Sequence, residues 1–266
     1  MRRHITGFSN PTVKYLRSLR DKKHRKRSGQ FLVEGLRLLE DARASGRLPQ
    51  TLMMAEGRDA HDLLARLETD VVAAGGEVIT TTPDILSKIT GKDNAQSVAG
   101  VFDEWDTSLG ALDRSAAPIW LVAQALRDPG NLGTMLRTGD AVGAGGLILI
   151  NDCADPFSAE AVRASMGAVF TVPLAQARWE EFLPWLREGT GQLVAASLRD
   201  AVPYRGAAYQ APCFILVGNE SQGLPEDYEA ACDLRVTMPM RGRADSLNAA
   251  VAAAVLAYEV LAGLEG

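Results

Sequence analysis

The stretch from residue 118 to 151, PIWLVAQALRDPGNLGTMLRTGDAVGAGGLILIN, constrains the fold of this chain more than any other. Two near-continuous apolar runs, IWLVAQAL and GLILIN, bracket a polar turn and a segment with helical spacing. Strands without polar alternation are buried on both faces, which is the pattern of a parallel sheet covered by helices. The unit therefore reads as strand, helix, strand with a right-handed crossover. Downstream, SAEAVRASMGAV, WEEFLPWLREG and the alanine-rich run from Ala249 read as helices. FTVPLAQ, QLVAASL, APCFILVGNE and CDLRVTMPM read as strands, so the C-terminal part is an α/β domain with a parallel sheet.

The N-terminal part alternates in the same way on a smaller scale. Val13, Leu16 and Leu19 recur at helical spacing, and a basic turn follows them. Phe31–Val33 reads as a strand and Leu36–Ala42 as a helix. TLMMAE, EVITTT and SVAGVFDEW are further strands, with DAHDLLARLETDVVAAGG and PDILSKITG as helices. The expected division is a small α/β domain over 1–105, a polar linker over 106–117 and a second domain over 118–266.

Charge is unevenly spread. Residues 1–30 carry ten basic side chains against Asp21 alone, so the rest of the chain holds 18 basic and 32 acidic residues of the 28 and 33 in total. A basic arm on an acidic body fits a polyanion met at one place. Arg17, Lys22, Lys23, Arg25, Lys26 and Arg27 are the candidate nucleic-acid contacts within it. All three histidines, His4, His24 and His61, lie in the first quarter, which excludes a Ser-His-Asp triad from the C-terminal domain. Cys153, Cys213 and Cys232 are widely spaced and read as free thiols, with no zinc or other metal site expected. There is no apolar run long enough for a membrane span and no signal-peptide pattern in MRRHITGFSN, so a cytoplasmic protein is expected.

Ligands of open α/β sheets gather beyond the carboxyl ends of the strands. Three such ends are polar and glycine-bearing here: LRDPGNLG, LVGNESQGLP and MPMRGRADSLN. In the first, Pro129 and Gly130 turn the chain and Asn131 is a candidate helix cap, with Arg137 two turns further on. In the second, Gly218 ends a buried strand and Asn219, Glu220, Ser221 and Gln222 follow it. In the third, Ser246 or Asp245 is a candidate cap for the alanine helix. GAGGLI over 143–148 precedes a strand rather than following one and is no dinucleotide fingerprint, and no GxxxxGK[ST] occurs.

In that order, the segments DPGNLGTMLRTGDAVGA, LVGNESQGLP and MPMRGRADSLNAAVA resemble the three motifs of the SpoU/TrmH-type RNA ribose 2′-O-methyltransferases of the knotted SPOUT class. The N-terminal stretch NPTVKYLRSLRDKKHRKRSGQFLVEGLRLLEDA resembles the small, ribosomal-protein-like substrate-binding domain that many members carry. The resemblance implies a trefoil knot in the C-terminal domain, a homodimer, and S-adenosyl-L-methionine as cofactor. By the same matching, Arg137, Asn131, Glu220, Ser246 and Asn248 fall on active-site positions. Gly218, Asn219, Met238 and Leu247 fall on cofactor-binding positions, joined by Ser197 in VAASL. Members often read SLNVSVA where this chain reads SLNAAVA, so Ala250 replaces a serine. In the family's scheme the arginine acts together with an RNA phosphate to activate the ribose hydroxyl.

The resemblance implies methylation of ribosomal RNA, 23S above all. Transfer RNA as substrate, methylation of a base, and a non-catalytic RNA-binding or ribosome-assembly role for the same fold remain as alternatives at this stage.

Overall fold

The structure is a computed structural model that describes residues 1–57, 61–92, 97–219 and 221–265. In chain order it contains β1 (Arg2–Ile5), α1 (Pro11–Ser18), α2 (Lys22–Ser28), β2 (Gln30–Glu34), α3 (Leu36–Ala44), β3 (Thr51–Ala55), α4 (Asp62–Ala73), β4 (Glu77–Thr81), α5 (Pro83–Thr90) and β5 (Val98–Asp103). Next come β6 (Ile119–Gln124), α6 (Pro129–Ala141), β7 (Leu147–Ile150), α7 (Ala159–Ala164), β8 (Leu174–Ala177) and α8 (Trp179–Arg187). The chain ends with β9 (Gln192–Ala196), β10 (Val202–Pro203), β11 (Cys213–Val217), α9 (Glu226–Ala230), β12 (Leu234–Thr237) and α10 (Ala249–Glu265). No helix among the described residues is long and apolar enough to cross a membrane.

Contacts divide the chain into two units, Met1–Trp105 with Asp155–Phe170, and Asp106–Ala154 with Thr171–Gly266. The segment 155–170, read from sequence as part of 118–266, thus packs with the first unit. Its side chains give the reason. Phe157 lies against Phe31 and Trp105, at ring-centroid distances of 4.8 Å each, and Phe170 lies 5.3 Å from Phe102. Asp155 also binds Arg25 at 2.6 Å.

The first unit holds a five-stranded sheet of order β1-β4-β3-β5-β2. β1, β4 and β3 run parallel, while β5 is antiparallel to both β3 and β2. The basic turn expected after α1 is a helix, α2. Asp21 caps it by accepting the Lys23 amide at 2.8 Å. Arg25 corrects the RNA-contact set. It is only 4% exposed, and it donates to the Leu19 and Arg20 carbonyls as well as to Asp155. All of its visible capacity is spent inside the fold.

The second unit holds a seven-stranded sheet of order β10-β12-β9-β11-β6-β7-β8 in which every pair is parallel. Trp120 and Phe214 stack across neighbouring β6 and β11 at 5.4 Å, and Trp179 stacks on Tyr228 at 3.8 Å. α10 packs against α6, β11 and β6. Its buried small residues, Ala249, Ala250, Ala252 and Ala253, let it lie close to those elements.

Candidate active site

The carboxyl ends of β9, β11 and β12 are neighbours in the sheet, and the loops that leave them enclose a cavity of about 340 Å³. Cavities of ~300–1,000 Å³ are typical of small-molecule sites. The first wall is the turn Ser197–Arg199, the second is Gly218 and Asn219 with Ser221–Leu224, and the third is Met238, Met240 and Asp245–Leu247.

Gly218 is where two backbones come closest. A Cβ at this position would lie 2.5 Å from the Gly223 carbonyl carbon and 2.7 Å from the Leu224 nitrogen. Only glycine fits a crossing this tight. Asn219 then shapes the loop by itself. Its Oδ1 accepts from the Ser221 and Gln222 amides at 2.9 and 3.2 Å. Its Nδ2 donates to the Ala125 carbonyl at 2.9 Å, tying the loop to the end of β6.

Sequence reasoning missed Glu229. It stands in the five-residue α9, too short for periodicity to reveal, and is 7% exposed. Its Oε1 accepts the Ser197 hydroxyl at 2.6 Å, and Arg199 approaches its Oε2 at 3.4 Å. Ser197 Oγ in turn accepts the Arg199 amide at 3.0 Å. The hydroxyl has therefore spent its proton on Glu229, and only an acceptor lone pair faces any ligand.

The start of α6, in the first sequence motif, meets the end of the third motif through a side-chain pair. Asn248 Nδ2 donates to Asn131 Oδ1 at 3.0 Å. Asn248 Oδ1 also accepts the Ala250 and Val251 amides at 3.0 and 3.3 Å, so Asn248 caps α10, not Ser246 or Asp245. Asn131 is likewise not the cap of α6. Asp128 is, accepting the Asn131 amide at 2.7 Å, because Pro129 takes the first helical position and moves Asn131 into the first turn. Arg137 is exposed on α6, and among the described residues no hydrogen bond or ion pair holds its guanidinium.

Of the expected cofactor positions, Ser197, Gly218, Asn219, Met238 and Leu247 all line the cavity, and so does Ser246. Asn131, Asn248 and Arg137 do not line it. Glu220 lies outside the described residues. Ala250 is 1% exposed, so a serine there would have brought a hydroxyl into a packed helix face. The three cysteines are unpaired thiols. Burial pushes Cys153 up to about 11 and Cys213 and Cys232 up to about 12.

The cavity fits S-adenosylmethionine in size and in its mixture of walls. Leu198, Leu224 and Met240 offer apolar surface to a purine, and Ser197, Asn219 and Ser246 place polar groups beside it.

Fold and site together define a parallel α/β protein with a nucleoside-sized cavity at its strand ends. The SpoU rRNA Methylase family model matches residues 118–258, and the MRM3-like substrate binding domain model matches residues 10–100. The chain belongs to the SpoU rRNA methylase family and is a methyltransferase. It is 30% identical over 259 residues to the 23S rRNA (guanosine(2553)-2′-O)-methyltransferase RlmP of Bacillus subtilis (strain 168), covering 97% of this chain and 99% of the relative. It is 29% identical over 270 residues to the 23S rRNA (uridine(2479)-2′-O)-methyltransferase of Streptomyces viridochromogenes, covering 97% and 92%. The crystal structure of an AdoMet-bound rRNA methyltransferase from Sinorhizobium meliloti superposes with a TM-score of 0.92 at 38% identity, covering 99% of this chain and 98% of that one.

Proposed function

We propose that this chain transfers a methyl group from S-adenosylmethionine to a ribose 2′-hydroxyl of 23S ribosomal RNA. The observation that carries the reading is the cavity at the strand ends together with the Asn131–Asn248 pair, which draws the first and third motifs together. The names of the two curated relatives support ribose of 23S rRNA as the acceptor, and they differ in the base that bears it.

When bound, S-adenosylmethionine supplies an electrophilic methyl on a sulfonium. Gly218, Asn219, Met238 and Leu247 form the cradle for it, with Ser197 as an acceptor held by Glu229. Arg137 stays charged near neutral pH, so it is no free base. Its forked, unpartnered N–H groups instead suit an RNA phosphate, and an oxygen of that phosphate takes the proton from the adjacent 2′-hydroxyl. Asn131 and Asn248 fix the loop edges against which the ribose is aligned. Glu220 and Ser246 complete the set of active-site residues.

Exposed Arg17, Lys22, Lys23, Lys26 and Arg27 of the first unit bind RNA backbone with little sequence information. In this reading residues 1–105 are the ribosomal-protein-like substrate domain and residues 118–266 the trefoil-knotted catalytic domain. The protein works in the cytoplasm as a homodimer. Val251 and Tyr258 support the dimer, being large apolar side chains exposed seven residues apart on one face of α10.

Incubation of unmodified 23S rRNA with the protein and methyl-labelled S-adenosylmethionine, followed by nucleoside digestion, tests the reading. Label should appear in a 2′-O-methyl nucleoside and be lost with Arg137→Ala. Label in a base-methylated nucleoside, or label on transfer RNA alone, would refute it.

A further inference from the structure

A second and larger depression lies on the first unit, about 960 Å³ between α1 and α5. Two polar stripes face it. Lys14, Arg17, Ser18 and Asp21 come from α1 and the turn after it, while Asp84, Ser87, Lys88 and Gly91 come from α5 and its C-cap. Lys14, Arg17 and Ser18 share one face of α1 and Asp84, Ser87 and Lys88 one face of α5, with Asp21 and Gly91 just beyond the ends of those helices. Beneath them, Val13 and Leu16 of α1 share a buried core with Ile85, Leu86 and Ile89 of α5. The stripes are therefore fixed relative to each other by packing.

Arg20 is built into this groove. Gly91 closes α5 at φ +75°, and a Cβ there would collide with the Arg20 guanidinium. The backbone conformation at 91 disfavours a side chain, and the space beside it is taken by a cation. That cation sits at the C-terminal end of α5, where the helix dipole favours positive charge.

Lys14, Arg17, Arg20 and Lys88 converge on the groove, and among the described residues none of them forms an ion pair. The carboxylates nearby have other roles. Asp21 caps α2, and Asp84 sits in the first turn of α5. Lys92 is already bound to Glu34 at 2.6 Å. Asp21 and Asp84 line the groove as well, but Lys14, Arg17, Arg20 and Lys88 outnumber them, and the surplus positive charge attracts a polyanion, which releases its counterions on binding. Among the described residues no Phe, Tyr or Trp lines the groove, and His24 is the aromatic side chain at its edge, so charge dominates over stacking. The chemistry suits a phosphate backbone.

We propose that the α1–α5 groove seats a segment of the substrate RNA backbone, with Lys14, Arg20 and Lys88 as phosphate contacts in addition to the arm residues named above. The inference rests on the RNA methyltransferase reading above. Binding of an unmodified 23S rRNA transcript, measured by filter retention between 50 and 300 mM KCl, tests it. Lys14→Gln/Arg20→Gln/Lys88→Gln should bind on the order of tenfold more weakly, with the slope of log affinity against log salt smaller by about 2, at ~0.7 per single-stranded phosphate. Circular dichroism melting shows whether this variant is folded. If it is not, Lys88→Gln alone should lower the slope by about 0.7. Affinity within twofold of the unaltered chain and an unchanged slope would overturn the groove. An unaltered chain that binds the transcript but methylates none of it would refute the activity reading, and the groove would still be judged by the same affinity comparison. An unaltered chain that binds no rRNA would sink both.

Discussion

Gly218→Ala probes the cofactor cavity at its narrowest point. The new Cβ would stand 2.5 Å from the Gly223 carbonyl carbon, 2.7 Å from its oxygen and 2.7 Å from the Leu224 nitrogen. Non-bonded carbon atoms rest at ~3.5–4.0 Å, so the two backbones must part by about 1 Å. Neither yields easily. Residue 218 directly follows β11, which is hydrogen-bonded to β6 on one side and β9 on the other. The facing loop is closed by the Asn219–Gly223 bridge and by two amides on Asn219 Oδ1. Forced overpacking costs about 1–3 kcal/mol. At roughly 2–4 °C per kcal/mol for a chain of this size, the melting temperature should fall by about 2–12 °C. A displacement of ~1 Å in a positioned site can cost about 100-fold, so calorimetry should show S-adenosylmethionine binding weakened at least about tenfold. Binding within twofold of the unaltered chain, with an unchanged melting temperature, would refute the close-approach reasoning.

Arg25→Ala strands Asp155 as a nearly buried unpaired carboxylate, and should cost about 3–5 kcal/mol in urea unfolding. A loss below ~1 kcal/mol would return Arg25 to the surface set. Asn248→Ala removes the cap of α10, worth ~1 kcal/mol, whereas Asn248→Asp keeps the cap acceptor and loses only the donor to Asn131. The aspartate variant should therefore melt close to the unaltered chain yet show a reduced kcat, and equal kcat would break the link between the two asparagines. Burial raises all three thiols, so at pH 8 iodoacetamide should modify them at least about a hundredfold more slowly than a free cysteine. The sign for stability follows from the same shifts. The folded chain holds these protons when the unfolded chain has lost them, so stability falls as pH rises from ~8.5 toward 11.

Periodicity made the second unit readable. Its central strands β6, β7 and β11 are buried along their whole length and almost entirely apolar, and the polar strand ends stand out against that background. What stayed hidden depends on distant partners. RRHI over 2–5 looks like a charged arm, yet it is the edge strand β1, with Arg2 on Glu68 and Arg3 on Glu77. KKHRKRS has no apolar stripe, so its helix is visible only through the Asp21 cap. Arg25 looks like its neighbours until Asp155, 130 residues away, is placed against it. Phe157 and Phe170 look like core of the second unit and pack in the first, which a pattern of local spacing cannot reveal. In the site, the capping errors at Asn131 and Ser246 arose because several adjacent residues had suitable side chains. Backbone geometry chose Asp128 and Asn248 among them.

The most direct test of the account is a ribose-methylation map of 23S rRNA from cells lacking the gene. One 2′-O-methyl nucleotide should be absent, should return with the unaltered protein, and should stay absent with Arg137→Ala. A map that is unchanged by the deletion, or that Arg137→Ala restores in full, would contradict it.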